Sequence, residues 1–220
     1  MELISYDELT KRISEICKDR LFIERIIVDC SDKEKLLKSI FHNPIDDRIG
    51  DFKQIITNDV TIFEYETTNI INNKKTNTIL VTSENGIIIK LDYHSNREYS
   101  ELVYSIYQED SNRLADRLSL KSYKTDDYEH LSVVVLGQFM NNATSGYYQK
   151  KYNLYIFDGS VNAIEINDVM YIKDEEGFNS VLRTYNDLVD RFSCKFNQRV
   201  DNLMGDNVQE YHIKRKKQEC

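Results

Sequence analysis

The sequence predicts an α+β fold. Antiparallel β-meanders, separate or joined into one continuous sheet, are packed by a long C-terminal helix, with N-terminal helices alongside. Apolar residues recur in steps of three and four from Phe178 to Met204, which places them on one face of a helix. Alternating segments flank Asn85-Gly86 and Asp158-Gly159, and such dipeptides favour tight β-hairpins. Ser5 and Ser31 each begin a Ser-x-x-Glu capping box, which is typical of helix N-termini.

The N-terminal region is predicted to be helical. The first capping box precedes an amphipathic pattern that predicts a helix from Tyr6 to Arg20. The second begins a short helix that ends at Asn43-Pro44, because proline disfavours the helical conformation of the residue before it. Residues 21–28 fit either the end of the first helix or a short strand.

An antiparallel meander is predicted between residues 52 and 94. Its strands are Val60–Glu66, Thr78–Thr82 and Ile87–Tyr93, which are rich in β-branched residues. A helix is predicted next, at Glu98–Tyr107, because its apolar residues fall on one helical face. Residues 108–129 are polar, which predicts a linker or a surface excursion with a short helix around Leu114–Leu118.

Strands resume in the second half of the chain. They are predicted at Leu131–Met140, Tyr148–Phe157, Val161–Ile166 and Val169–Ile172. The long helix follows and is predicted to end at Gly205, a residue suited to a left-handed helix cap.

Two domain organisations fit this order of elements. One is a single α+β domain over residues 1–205. The other divides the chain into two halves, 1–107 and 130–205, each with a meander followed by a helix. Residues 206–220 include the basic run His212–Lys217 and are predicted to be a flexible tail.

Composition argues against several functions. The net charge of −8 disfavours general nucleic-acid binding and binding to anionic membranes, both of which need a basic surface. We found neither an apolar run of membrane-spanning length nor a signal peptide, and the four cysteines lack zinc-like spacing. We therefore expect a cytoplasmic protein. The abundance of Ile, Asn, Lys and Tyr, with one proline and no tryptophan, is typical of an AT-rich genome, such as that of a bacterium, its phages and mobile elements, or a virus.

Motifs for common enzyme chemistry are absent from the sequence. There is no G-x-S-x-G nucleophile motif and no glycine-rich phosphate loop, so we expect no nucleotide cofactor. Asp92-x-His94 is the most interesting small constellation for catalysis, because residues i and i+2 of a strand share a face. A structural Asp–His hydrogen bond or a solvated sheet edge explains the same pattern, and no metal site is predicted.

Tyrosine is unusually frequent, with 15 residues. Tyr147, Tyr148, Lys150 and Lys151 cluster around one predicted hairpin, and tyrosines of this kind are frequent hot spots in protein interfaces. We predict these four residues to be a partner-binding site. Strand alternation sends Tyr148 to one face and Tyr147 and Lys151 to the other.

These observations favour a non-enzymatic, intracellular binding protein. It would act by occupying or inhibiting a larger, basic protein, as inhibitors, immunity proteins and counter-defence factors do. One alternative is a metal-dependent hydrolase acting on a nucleic acid or nucleotide through Asp92 and His94. Another is an assembly protein that forms a homodimer through the long helix.

Overall fold

The computed structural model describes residues 3–19, 24–26, 48–56, 60–108, 112–125, 127–140 and 145–218. Within these ranges the chain forms two helices and eleven strands. The helices are α1 (Tyr6–Asp19) and α2 (Phe178–Gln218). The strands are β1 (Glu24–Ile26), β2 (Arg48–Ile56), β3 (Thr61–Thr68), β4 (Lys75–Ser83), β5 (Gly86–Ser95), β6 (Tyr99–Tyr107), β7 (Leu114–Lys124), β8 (Glu129–Met140), β9 (Ser145–Phe157), β10 (Ser160–Ile166) and β11 (Val169–Ile172).

All eleven strands belong to one antiparallel sheet. Their order in the sheet is their order in the chain, from β1 at one edge to β11 at the other. The prediction of an α+β fold with an antiparallel sheet and a long C-terminal helix is confirmed. The two predicted meanders are one continuous sheet, because β6 and β7 pair with each other and with the strands on either side.

The predicted helix Glu98–Tyr107 is wrong, because this segment is strand β6. Its four residues from Val103 to Ile106 are all buried, so side chains on both faces of the strand are covered. A strand that is apolar on both faces lacks the alternation that would separate it from a helix.

The predicted linker at 108–129 is also wrong where it overlaps β7. This strand alternates, with Leu118 and Leu120 on one face and Ser119 and Lys121 on the other. Its polar residues gave the segment the composition of a loop, although the alternation is that of a half-buried strand.

Two of the tight turns between strands form as their residue types predict. Asp158 and Gly159 have φ of 49° and 71°, as a type I′ hairpin requires. Asn167 and Asp168, with φ of 51° and 61°, form a second such turn between β10 and β11. A hairpin also joins β4 to β5, but its two turn residues are Glu84 and Asn85, and Gly86, with a φ of 129°, begins β5, so the type I′ turn predicted at Asn85-Gly86 is wrong.

One face of the sheet, which we call the covered face, packs against both helices. The apolar side of α2 lies on it from Phe178 to Val200. Tyr104 is near the centre, with its ring edge-on to Phe196 at 5.1 Å and its hydroxyl donating to the carbonyl of Ile4 at 3.0 Å. Burial raises the pKa of Tyr104 to about 12, so this phenol stays protonated as a donor.

α1 begins where the first capping box predicts. The Ser5 hydroxyl accepts a hydrogen bond from the Glu8 amide at 3.1 Å. Leu9 and Ile13 are buried in the same core as α2, and Arg12 pairs with Asp201 of α2 at 3.1 Å. The ambiguous segment 21–28 contains strand β1, and the helix predicted after Ser31 lies outside the described residues.

α2 is longer than predicted. The backbone stays helical through Gly205 to Gln218, so the predicted end at Gly205 is wrong. An interior glycine costs a helix only about 1 kcal/mol, which good helix-forming neighbours offset. In the described part of the chain, neither helix is apolar enough over a sufficient length to cross a membrane.

Candidate partner-binding surface

The opposite face of the sheet, which we call the far face, carries a row of rings across β5 to β9. Tyr99, Tyr123, His130 and Tyr155 are opposite one another in the strand register, and His94 is diagonal to Tyr99. Neighbouring ring centroids are 5.1, 5.4, 6.0 and 5.0 Å apart, in order from His94 to Tyr155. We call these five residues the aromatic row.

Four rings of the aromatic row face one another, and His94 at its end is tilted by 51° against Tyr99. From Tyr99 to Tyr155 the three successive interplanar angles are 19°, 20° and 23°. Rings stacked in this way contact each other through their faces, so their edges and polar atoms point away from the sheet. The surface that the row offers is therefore a line of ring edges.

The aromatic row is partly exposed. Tyr123, at its centre, has 45% of its surface exposed. Next to the row, Tyr128 stacks on Phe157 with centroids 5.9 Å apart, and both rings are similarly exposed. Exposed aromatic residues that gather at one end of a sheet are a mark of an interaction surface.

A polar row runs beside the aromatic row. Its members are opposite one another on β6 to β10: Glu101, Lys121, Ser132, Asn153 and Glu165. Lys121 pairs with Glu101 at 3.3 Å, and the amide of Asn153 donates to Glu165 at 2.8 Å. These contacts hold the polar side chains in place next to the rings.

Lys74 joins the two rows. Its ammonium group hydrogen-bonds the Glu101 carboxylate and lies 5.7 Å from the centroid of the Tyr99 ring. Burial alone would raise the pKa of Glu101, but the bond to Lys74 and the charges of Lys74 and Lys121 outweigh it and leave this pKa lowered. Glu101 is therefore a carboxylate at neutral pH.

Ring contacts, more than hydrogen bonds, hold His130. Among the described residues no group hydrogen-bonds its buried Nε2. Its ring is stacked between Tyr123 and Tyr155.

The four residues predicted to bind a partner divide between the two faces. β9 directs Tyr147 and Lys151 to the far face, and Tyr148 and Lys150 to the covered face, as the alternation predicts. Tyr147 is half exposed, and its hydroxyl donates to the carbonyl of Leu114 at 2.9 Å. The four residues therefore do not form one continuous patch.

Tyr148 has a packing role at the edge of the covered face. Its ring lies over Gly137, where an added Cβ would be 2.4 Å from ring atoms. A glycine at this place leaves room for the ring of its cross-strand partner.

Asp92 and His94 share the far face of β5 but have separate partners. Asp92 accepts a hydrogen bond from Thr78 at 2.7 Å and pairs with Lys90 at 2.9 Å. His94 contacts the carbonyl of Lys75 through Nδ1 and packs on Tyr99. In the parts of the chain that the structure describes, no three His, Cys, Asp or Glu side chains are grouped as metal ligands.

Of the five residues in the aromatic row, only His94 was a predicted site residue. The members of the row come from five strands, so only the register across the sheet brings them together. One local signal existed: Tyr123 and His130 flank a short polar segment, Thr125–Tyr128, as cross-strand partners of a hairpin do.

Comparisons with protein-family models, with curated proteins and with solved structures gave no match for this chain.

Proposed function

We propose that this chain is a protein-binding protein that acts by occupying a partner, and that the aromatic row is its main contact. The observation that carries the proposal is the partly exposed, stacked row of rings on the far face, away from both helices. Tyrosine is enriched in interface hot spots because it provides a large contact area with few rotatable bonds.

The orientation of the rings favours a protein over a nucleobase or a sugar. Those ligands bind aromatic side chains by stacking on an exposed ring face. The inner rings of the row, Tyr99, Tyr123 and His130, already use both faces or lie between neighbours. The net charge of −8 also disfavours a polyanionic ligand. Ring edges and hydroxyl groups suit the mixed apolar and polar surface of a protein.

The aromatic row is preorganised. Stacking restricts the rotamers of each ring, and the Lys74–Glu101–Lys121 contacts hold the neighbouring polar groups. Side chains that are ordered before binding lose less entropy in the complex, and this raises affinity without any additional contact. The proposed partner is a larger, basic protein, since the acidic chain would attract it over distance.

The alternative of a homodimer formed by α2 has less support. The apolar residues that would form its seam, among them Phe178, Phe192 and Phe196, are buried against the covered face. A helix that uses its apolar side within its own domain has little left for a partner helix. No observation favours the hydrolase alternative, so it is not proposed.

The experiment is recovery of the complex from the native host with the chain as bait. The bait variants are wild type, Tyr123→Ala and Arg183→Ala, the last being exposed on α2 and away from the far face. Light scattering gives the mass and stoichiometry of each complex. We expect one stoichiometric partner with wild type and Arg183→Ala and its loss with Tyr123→Ala.

Two further baits, Tyr147→Ala and Tyr148→Ala, distinguish the aromatic row from the site predicted at 147–151. Loss of the complex with Tyr147→Ala and Tyr148→Ala but not with Tyr123→Ala would move the site to the other end of the sheet. A wild-type chain that recovers no partner would contradict the proposal.

A further inference from the structure

β11 is an exposed apolar strand at the edge of the sheet. It pairs with β10 on one side and is the last strand in the sheet order. Val169, Met170 and Ile172 are each between 46% and 49% exposed. Apolar edge strands are rare in soluble proteins because they pair with other chains.

Hydrogen-bonded and non-hydrogen-bonded pairs alternate between β10 and β11, and this alternation shows which main-chain groups of β11 face outward. Ile166 and Val169 flank the two-residue turn and form a hydrogen-bonded pair, as do Asn162 and Lys173, whose N···O distance is 2.8 Å. Antiparallel pairs alternate, so the N–H and C=O groups of Met170 and Ile172 point away from β10. The Ile172 carbonyl accepts from Glu175 at 3.1 Å, which leaves three groups directed outward.

β11 is short, with four residues, which limits how much it can pair, but it lacks the other usual protections of an edge. The strand contains no proline, no lysine and no bulge against β10. Its flanks are acidic on balance: exposed Asp168 is on one side, and on the other exposed Lys173 offsets one of the three charges of Asp174, Glu175 and Glu176.

These acids favour pairing of β11 with a strand that has basic ends over pairing with a second copy of β11. If two copies of β11 paired about a twofold axis with Met170 opposite Ile172, Asp168 of each copy would be opposite Asp174 of the other. Like charges directly opposite each other destabilise a strand pair. A strand with basic residues at its ends would instead place opposite charges there.

A strand added at β11 would also extend the far face. Ile172 is opposite Ala163, which is opposite Tyr155 of the aromatic row. A side chain opposite Ile172 would therefore continue the same transverse line, and a partner that adds this strand could also cover the rings.

We propose that β11 accepts an extended segment of a protein partner as a twelfth strand, with alternating apolar residues flanked by Lys or Arg. This inference rests on the proposed function, because it names the part of the partner that is recognised. The β11 site and the aromatic row consist of different residues, so an experiment can contradict one without contradicting the other. Main-chain hydrogen bonds would supply affinity, and the acids would select the basic ends.

The test measures binding of a fluorescent peptide, Lys-Arg-Thr-Val-Thr-Val-Thr-Lys-Arg, to the full chain by anisotropy. We expect saturable binding. It should weaken at least about tenfold with Met170→Pro, which removes an outward N–H without breaking a bond to β10. Met170→Ala keeps that N–H and is the matched control, with a smaller loss. Tyr123→Ala should bind the peptide as wild type does.

Two peptide controls avoid any dependence on the folding of a variant. A peptide with N-methylated valines lacks strand donors, and one with Asp and Glu at its ends reverses the charge. Both should bind the wild-type chain at least about tenfold more weakly.

Equal binding of the N-methylated peptide, or of the first peptide to a folded Met170→Pro chain, would overturn the inference. So would a wild-type dimer in light scattering that becomes a monomer in Met170→Pro, since the occupant would then be a second copy. If the peptide binds as expected but the native complex survives Tyr123→Ala, the role of the aromatic row fails and the β11 site stands.

Discussion

The two faces of the sheet use the same strands for different purposes. On β9, Tyr152 and Leu154 point to the covered face and are fully buried, whereas Tyr155 and Phe157 point to the far face and reach solvent. On the covered face, Tyr104 and Tyr152 meet rings of α2 edge-on within a closed core, where Phe192 and Phe196 also stack on each other. On the far face the rings stack in a row. Alternate residues of one strand thus build the core and a candidate binding surface.

Side chains on the covered face contribute more to stability than the exposed side chains on the far face. Burial of a large apolar side chain stabilises a fold by several kcal/mol, whereas a cross-strand pair on an exposed face contributes roughly 0.2–1 kcal/mol. The exposed rings of the far face are therefore free to serve binding at little cost to folding, unlike Phe63 and Leu80, which are buried on the same face in a second hydrophobic cluster.

The largest expected effect is on the covered face. Phe196→Ala should lower the free energy of unfolding by about 3–5 kcal/mol, because Phe196 is fully buried against Tyr104 and Phe192. Phe157→Ala is the matched control on the far face and should cost about 1 kcal/mol. Urea unfolding measures both. Similar losses for the two variants would remove the distinction between the faces.

Gly137→Ala tests the close approach of Tyr148 at the edge of the covered face. The added Cβ would meet the ring at 2.4 Å, so we expect a loss of about 1–3 kcal/mol in unfolding free energy. In a Tyr148→Ala background the ring is gone, and the same substitution should cost much less. A double-mutant cycle with no coupling would contradict this account.

Tyr152→Phe should stabilise the protein. The hydroxyl of Tyr152 is buried with no hydrogen-bond partner among the described residues. Removing an unsatisfied polar group should raise the free energy of unfolding by about 1 kcal/mol. Tyr104→Phe should instead lower the free energy of unfolding, because it removes the hydrogen bond from the Tyr104 hydroxyl to the carbonyl of Ile4. A Tyr152→Phe chain that unfolds more easily than wild type would indicate a polar partner for this hydroxyl.

The ion pairs of the far face should appear in the pH dependence of stability. Glu101 has a lowered pKa when folded, so its stabilising contribution is complete above its unfolded pKa. That contribution is lost as the pH falls through the lower, folded value. The difference in unfolding free energy between wild type and Glu101→Gln should therefore shrink on acidification below about pH 4. A difference that stays constant with pH would exclude this titration.

Local patterns predicted much of the fold. The Asp158-Gly159 hairpin, the capping box at Ser5 and the apolar side of α2 each have a short-range cause that can be read within a few residues. β6 could not be identified, because Leu102, Val103 and Ile106 have the spacing of one helical face, and the strand that they belong to is buried on both faces. The end of α2 was misjudged because one glycine weakens a helix without always ending it.

The candidate site was harder to predict than the fold. Tyr99 and Tyr155 belong to one row only because four strands in succession keep their register. That information is distributed over more than fifty residues and leaves no local motif. Tyr147 and Tyr148 were conspicuous because they are adjacent in sequence, yet adjacency places strand residues on opposite faces.

The central claim is that the aromatic row binds a protein partner. The most direct measurement is the dissociation constant of the purified native partner for wild type, Tyr123→Phe and Tyr123→Ala. We predict a loss of about thirtyfold or more for alanine, since a hot-spot ring contributes about 2 kcal/mol or more, and a small loss for phenylalanine, which keeps the stack. Equal affinity of the wild-type and alanine chains would contradict the account.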